Sequence, residues 1–428
     1  MKGVNNMSES LRSQWPSTSA PFEEHVAFLN RGARIIEEEM IVANDQRVQT
    51  VYTQLSVGRG QDSSVAARAP GGTGKTTLGD LMMGHESRVE VTADDTESTF
   101  FGYESPTEKR TVPGKMTATP DNPDFHLSEF PQLYNKGPIH RLWDKQFVMM
   151  NGLMVPMEHA AIYMTGNYAD GERNSEDDEA FAKRQGAELL MGDLGSASAA
   201  ILQGVMADRG HSWELAPILP TADVRAYLNA EVAKLFPIAA NLGTFIVEVV
   251  NEINNTGLFM DIEDGDGRLG RSLLNTARAK MLRNSQLGVV DLAKWMPIAK
   301  RAITPADIAE VAALNFPTIA KFTQTAQKKL MEEGGRRPTN LEMAIAKRRA
   351  IARSAFTAYG RFERLERPSE FIAASVETFS YGNVEAIGLD VDKAFLSKPV
   401  TDKERAQEGG RVKRAKRYFG FDSARAEN

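Results

Sequence analysis

One glycine-rich run holds the residues of this sequence that are best suited to chemistry. The run reads Ala69-Pro70-Gly71-Gly72-Thr73-Gly74-Lys75-Thr76-Thr77. Residues 64–67 before it form a short apolar segment that suits a strand, and residues 78–83 after it suit a helix. A strand, a glycine loop and a helix in this order are typical of a phosphate-binding P-loop, although the strict motif begins with Gly where this chain has Ala69.

Each residue type in the run has a chemical role. The glycines let the backbone curl, so that successive N–H groups and the start of a helix point at one anion. Lys75 is placed to reach the β- and γ-phosphates of a nucleotide, and Thr76 offers its hydroxyl to Mg²⁺. The alternative is a glycine-rich turn that a Lys-Thr pair follows by chance. We predict that ATP and Mg²⁺ bind at Pro70, Gly71, Gly72, Thr73, Gly74, Lys75, Thr76 and Thr77.

The composition of the 428 residues is that of an ordinary folded protein. Charged residues make up 25% and hydrophobic residues 42%, and the net charge is −6, so we expect two or three folded domains. The absence of cysteine excludes disulfides, thiolate zinc sites and cysteine nucleophiles, and the six histidines show no metal-binding spacing. Because no apolar run approaches a membrane span and the polar N-terminus lacks a signal-peptide core, we expect a cytoplasmic protein without membrane contact.

Strand and helix patterns alternate in the first half of the chain. After the P-loop come strand patterns at 87–92, 124–129 and 160–167, with a helix pattern at 132–144. This alternation predicts an α/β fold with a mostly parallel sheet.

Several sequence blocks in a fixed order carry a family resemblance. They are the Pro-Gly-Gly-Thr-Gly-Lys-Thr loop, Asp95 to Gly102, the strand ending in Gly166-Asn167, Arg268 to Leu274 running into Ala277-Arg278-Ala279, and Ile303 to Ile308. From Arg47 to about Phe316 the chain resembles AAA+ ATPases and, within that superfamily, the MoxR group. The resemblance implies a P-loop AAA+ parallel sheet core followed by an α-helical lid.

Four segments follow from the patterns and the resemblance together. They are an N-terminal helical extension (1–46), the α/β nucleotide-binding core (47–195), the helical lid (196–318) and a C-terminal helical, partly basic extension (319–428). Within the lid, Thr304 followed by Pro305 marks the start of a helix.

The resemblance assigns Walker B to the end of the strand at 124–129. Glu129 takes the position of the catalytic glutamate, where a carboxylate orients the attacking water. Ser128 stands where the family usually has Asp, which holds the hydration shell of Mg²⁺. Because a hydroxyl does not replace that charge, we expect Thr76 and Ser128 to hold the metal weakly and hydrolysis to be slow.

Three further site residues are implied by the resemblance. Asn167 matches sensor 1, and the alternative is an ordinary turn residue. Arg184 falls at the arginine finger that reaches a neighbouring subunit's γ-phosphate, with Arg173 as a second candidate and a solvated helix arginine as the alternative. Arg268 matches sensor 2, with Arg271 in reserve, and either is expected to contact nucleotide phosphates.

Two other stretches have both a functional and a structural interpretation. Phe100-Phe101-Gly102-Tyr103 is similar to a pore loop, but it also matches a structural block of the family, and we favour packing in the core. Lys and Arg outnumber Asp and Glu by 19 to 15 after Leu330. Basic runs there can bind nucleic acid, but interleaved glutamates favour solvated faces and a subunit contact.

The resemblance implies an enzyme that works as a homo-oligomer. We expect a hexameric ring that hydrolyses ATP to remodel a protein partner, which in the MoxR group often carries a von Willebrand factor A domain. The alternatives are a nucleic-acid motor of the loader or packaging type, which the basic tail favours, and a nucleotide-binding structural ring with weak hydrolysis, which Ser128 favours.

Overall fold

A computed structural model describes residues 11–39, 46–69, 71–107, 110–130, 137–167, 184–191, 217–262, 267–285, 297–366 and 368–380. Helices and strands alternate up to residue 191, as the sequence predicts. In chain order these elements are α1 (Phe22–Glu39), α2 (Gln46–Val57), β1 (Ser64–Arg68), α3 (Lys75–Met83), β2 (Arg88–Glu90), α4 (Glu97–Phe101), β3 (Tyr103–Ser105), β4 (Arg110–Val112), β5 (Phe125–Ser128), α5 (Gly137–Asp144), β6 (Phe147–Met150), β7 (Leu153–Pro156), β8 (Ile162–Gly166) and β9 (Ala187–Leu190).

The described residues after 216 are mainly helical. Their helices are α6 (Ala222–Leu235), α7 (Leu242–Asn255), α8 (Arg268–Ser285), α9 (Pro305–Asn315), α10 (Gln324–Gly334), α11 (Asn340–Phe362) and α12 (Pro368–Phe379). The predicted start of α9 is confirmed, because Thr304 is the N-cap, Pro305 follows it, and Asp307 completes a capping box. No helix among the described residues is long and apolar enough to cross a membrane.

A five-stranded parallel sheet in the order β2-β5-β8-β1-β9 forms the centre of the fold. This confirms the α/β fold class and the strands predicted near 87–92, 124–129 and 160–167. Both faces of the sheet are covered, and all five residues of β8 are buried. Because β5, β8 and β1 are neighbours and run in the same direction, the segments that follow them meet at one edge of the sheet.

Two antiparallel hairpins, β3–β4 and β6–β7, accompany the sheet. The sequence analysis missed β6–β7, whose turn residues Asn151 and Gly152 both have positive φ. The side chain of Asn151 fixes this turn by accepting from the N–H of Gly114 at 2.6 Å and donating to the carbonyl of Met116 at 2.7 Å. Phe100 and Phe101 are buried, which confirms their predicted place in the core.

One apolar cluster links all four predicted segments. It extends from Trp15 near the N-terminus, through Val65 and Leu189 of the sheet and Leu273 of α8, to Val376 of α12. The boundaries predicted between the segments therefore do not separate independent cores.

A buried carboxylate joins three of these segments at the amino end of β5. Asp124 accepts from Arg225 of α6, with Nη2 to Oδ1 at 2.6 Å, from Arg12 near the N-terminus, and from the N–H of Ala161 at 3.0 Å. Burial alone raises the pKa of Asp124, but the two guanidinium groups outweigh it and hold that pKa below its usual value. Asp124 therefore remains ionised and holds α6 against the amino end of the sheet.

Candidate functional site

The P-loop lies between the end of β1 and the start of α3. Gly72 and Gly74 have φ angles of 77° and 83°, and Gly74 is the N-cap of α3. A side chain disfavours this left-handed backbone, so these two positions favour glycine. The exposed backbone of Gly71 and Gly72 is open to an anion at the helix start. Pro70 lies outside the described residues.

Lys75 begins α3 and points back across the carboxyl edge of the sheet. Its Nζ donates to the carbonyl of Ala69 at 2.9 Å and to Oδ1 of Asn167 at 3.1 Å. The hydroxyl of Tyr163 in β8 donates to the backbone carbonyl of Lys75 at 3.2 Å. Burial lowers the pKa of Lys75, and the negative charge of Glu129 acts in the opposite direction. The ammonium group is thus bonded to residues at the ends of β1 and β8, and it feels the charge of Glu129 after β5.

Glu129 follows β5 in a conformation that is uncommon for its residue type. Its φ is 59°, in the left-handed region, which costs on the order of 1 kcal/mol for a residue with a side chain. The strand before it is fixed, because the carbonyl of Ser128 accepts from the N–H of Val91 at 2.9 Å. Non-glycine residues in strained backbone cluster at functional sites, and this one acts electrostatically on Lys75.

The donors at this edge suit Mg²⁺. Thr76 in the first turn of α3 and Ser128 at the end of β5 offer hydroxyls, and Glu129 offers a carboxylate. Oxygen donors of this kind fit an ion that keeps several waters and also binds substrate phosphates. Among the described residues, no group of three His, Asp or Glu side chains forms a metal cluster.

Arg184 lies at the amino end of the sheet, opposite the edge that carries the P-loop. Its backbone carbonyl accepts from Oγ of Ser64, the first residue of β1, at 3.3 Å. Its guanidinium forms a bidentate salt bridge with Asp144 of α5. Nε donates to Oδ1 at 3.1 Å and Nη2 donates to Oδ2 at 3.0 Å. Because the P-loop follows the opposite end of β1, Arg184 is separated from the phosphate site of its own chain. Arg173 lies outside the described residues.

The two sensor 2 candidates also lie at the amino end of the sheet. Arg268 starts α8, and one turn later Oγ of Ser272 donates to Oδ1 of Asp62 at 3.2 Å. Asp62 precedes β1, and the charge of Arg271 acts on its carboxylate. The bond from Ser272 and the charge of Arg271 thus place the start of α8 beside Asp62, before β1, whereas the P-loop follows the other end of β1. Contact of Arg268 or Arg271 with nucleotide phosphates stays a prediction.

Sequence reasoning missed a polar contact beneath the site. His126 in β5 is fully buried, and its Nδ1 lies 3.0 Å from Oδ1 of Asp80 in α3. A Cβ on Gly79 would meet the imidazole at 2.5 Å, so the P-loop helix needs glycine there. The isolated glycine within a helical pattern was the available signal for this close approach.

Comparison with solved structures shows similarity of fold. The crystal structure of a candidate ATPase from Cytophaga hutchinsonii superposes with a TM-score of 0.51 at 14% identity, over 72% of this chain and 92% of that one. A full-length MCM homolog from Methanopyrus kandleri gives a TM-score of 0.38 at 10% identity, over 68% of this chain and 60% of that one. No family model and no curated protein matches the chain. At this identity the first structure shows a shared α/β fold and nothing more specific.

Proposed function

We propose that this protein is an AAA+ ATPase of the MoxR type that binds and hydrolyses ATP with Mg²⁺. The observation that carries the proposal is the convergence of Lys75, Glu129 and Asn167 at the ends of three adjacent parallel strands. Phosphoryl transfer depends on positioning and on charge stabilisation, and this edge supplies both.

Each residue has a role in the reaction. Lys75 binds the β- and γ-phosphate oxygens, and the P-loop N–H groups surround them. Glu129 orients a water for in-line attack on the γ-phosphorus and accepts its proton as the bond to the ADP oxygen breaks. Asn167 helps to position the same water. Mg²⁺, held by Thr76 and Ser128 with the phosphates, would neutralise developing charge, and the missing Walker B aspartate makes turnover slow.

The proposed active form is a homo-oligomeric ring of six subunits, as in the family that the chain resembles. Arg184 supports this arrangement, because it lies at the sheet end opposite its own P-loop. An arginine there can act only on the phosphates of a neighbouring copy. Such a finger first has to leave Asp144, its partner within the chain.

The proposed work of the ring is remodelling of a protein partner, and a von Willebrand factor A domain is the partner class that the resemblance suggests.

The nucleic-acid alternative is weakened because arginines of the basic run in α11 are paired within the chain. There Arg348 is buried, Arg349 pairs with Glu377, and Arg361 pairs with Glu252. The basic run at 411–417 lies outside the described residues. The structural-ring alternative rests on Ser128.

A single assay series tests the proposal and separates the alternatives. ATP hydrolysis is measured for the parent and for Glu129→Gln, with and without DNA, at several salt concentrations. We expect slow hydrolysis that Glu129→Gln abolishes and DNA does not change. Strong, salt-sensitive stimulation by DNA supports the nucleic-acid motor, and ATP binding without any turnover supports the structural ring.

A further inference from the structure

The carboxylate of Glu188 in β9 lies between two guanidinium groups from distant parts of the chain. Nε of Arg68, the last residue of β1, is 3.0 Å from Oε1 of Glu188. Arg348, in the middle of α11, donates from Nη2 to Oε2 at 3.2 Å. It also donates to the backbone carbonyls of Glu188 at 3.3 Å and Ala313 at 3.2 Å. One acidic residue thus joins the C-terminal helices to the strand that leads into the P-loop.

The pair of Arg348 and Glu188 is shielded from water, whereas the side chain of Arg68 is 28% exposed. The side chain of Arg348 is 1% exposed and that of Glu188 is 11% exposed. Burial by itself raises the pKa of Glu188, but the charges of Arg348 and Arg68 outweigh it and hold that pKa below its usual value. The carboxylate therefore remains ionised, and the loss of one guanidinium changes its attraction to the other.

Arg68 lies between this cluster and the P-loop. Its own carbonyl accepts from the N–H of Met191 at 3.0 Å, and the next residue is Ala69. The carbonyl of Ala69 accepts from the Lys75 ammonium at 2.9 Å. The N–H of Ala69 donates to the carbonyl of Gly166 at 3.4 Å. A shift of the Arg68 backbone therefore moves an atom that holds Lys75.

We propose that Arg348 is a positioning residue for nucleotide binding, which acts through Glu188 and Arg68 on the start of the P-loop. This inference rests on the proposed function of the P-loop. It gives the C-terminal helices, which lie outside the family resemblance, a part in the nucleotide site. It also gives Arg348, a buried member of a basic run, a role other than binding nucleic acid.

The test measures the affinity of the full chain for a fluorescent ATP analogue with Mg²⁺. Arg348→Met and Arg68→Met are each expected to weaken binding by about tenfold, because a small displacement of a positioned group is enough for such a loss. The double variant is expected to bind no more weakly than the weaker single variant, since both act through one carboxylate. Arg349→Met is the matched control, because this neighbour pairs with the exposed Glu377 and should change affinity less than about twofold.

Thermal midpoints measured in parallel separate positioning from stability. If Arg348→Met does not fold, Arg348→Lys keeps the charge without the guanidinium fork, and a loss of about threefold is expected. A variant at Arg348 that lowers the midpoint but binds with parental affinity overturns the inference, as do additive losses in the double variant. Lys75→Ala separates the two proposals. If it weakens binding by tenfold or more while Arg68→Met and Arg348→Met bind normally, this inference is wrong and the P-loop assignment stands. If Lys75→Ala binds normally, both are wrong.

Discussion

Nζ of Lys75 in α3 donates to Oδ1 of Asn167 at 3.1 Å, across 92 residues of sequence. Lys75 begins the P-loop helix, and Asn167 follows β8, the strand between β1 and β5. The contact brings the predicted phosphate-binding lysine and the predicted sensor 1 amide into one site, although their roles in hydrolysis stay predictions.

Replacing Lys75 by Ala should weaken ATP binding. The change removes a charge-assisted phosphate contact in a partly desolvated site, so we expect a loss of about 1.5 to 3 kcal/mol, or roughly tenfold to 150-fold in affinity. Isothermal titration with ATP and Mg²⁺ measures it. Lys234→Ala is the control, because Lys234 is an exposed helix residue paired with Glu231. Parental affinity in a folded Lys75→Ala protein would rule out the loop as the nucleotide site.

Ser128 should set the Mg²⁺ requirement. Ser128→Asp restores a carboxylate beside the proposed metal position, so the Mg²⁺ concentration for half-maximal hydrolysis should fall by about tenfold. Ser128→Ala, the control, should not lower it. Glu129→Gln should abolish turnover and leave ATP binding intact, because the amide cannot accept the proton. An unchanged Mg²⁺ requirement in Ser128→Asp, or parental turnover in Glu129→Gln, would place Walker B on another strand.

Arg184 should act on the nucleotide of a neighbouring copy. Arg184→Ala and Lys75→Ala are each expected to lose hydrolysis, while a mixture of the two regains it. In mixed rings, an intact P-loop of one variant meets the intact Arg184 of the other. Specific activity of the parent should also rise with protein concentration near the assembly constant.

Arg141→Ala is the control for the Arg184 experiment, because Arg141 lies on α5 and pairs with the exposed Glu97. It should hydrolyse ATP at the parental rate. Mixtures that stay inactive although both variants fold and assemble would remove the shared-site model.

Asp62 should make stability depend on pH. Burial raises its pKa from 3.8 to about 6, against the opposing charges of Arg271 and Arg278. The folded state then holds this proton more tightly than the unfolded chain, so the free energy of unfolding falls as pH rises from about 4 to 6. Asp62→Asn should remove this cost and stabilise the protein at pH 7.5 by about 1 to 2 kcal/mol, with little effect near pH 4.

Thermal midpoints at the two pH values measure this difference. Asp261→Asn serves as the control, because that carboxylate is exposed. A variant at Asp62 that is less stable than the parent at pH 7.5 would show that the ionised carboxylate is a net stabilising partner of α8.

The sequence by itself determined those features that depend on residues close together in the chain. The P-loop is one, because its glycines, Lys75 and Thr76 lie within a few residues, and positive φ at Gly72 and Gly74 is a local requirement. The start of α9 is another, since a capping box spans four residues. Alternation of strands and helices was likewise enough to predict the parallel α/β sheet.

Only the tertiary structure decided which distant side chains meet. It placed Arg268 and Arg271 at the amino end of the sheet, and it buried Arg348 against Glu188 in a run that looked like a basic surface. The β6–β7 hairpin is a different case, because its Asn151-Gly152 turn is a local signal that the sequence analysis missed. The physical reason is that burial and ion pairing depend on partners contributed by other elements, and composition and periodicity do not identify those partners.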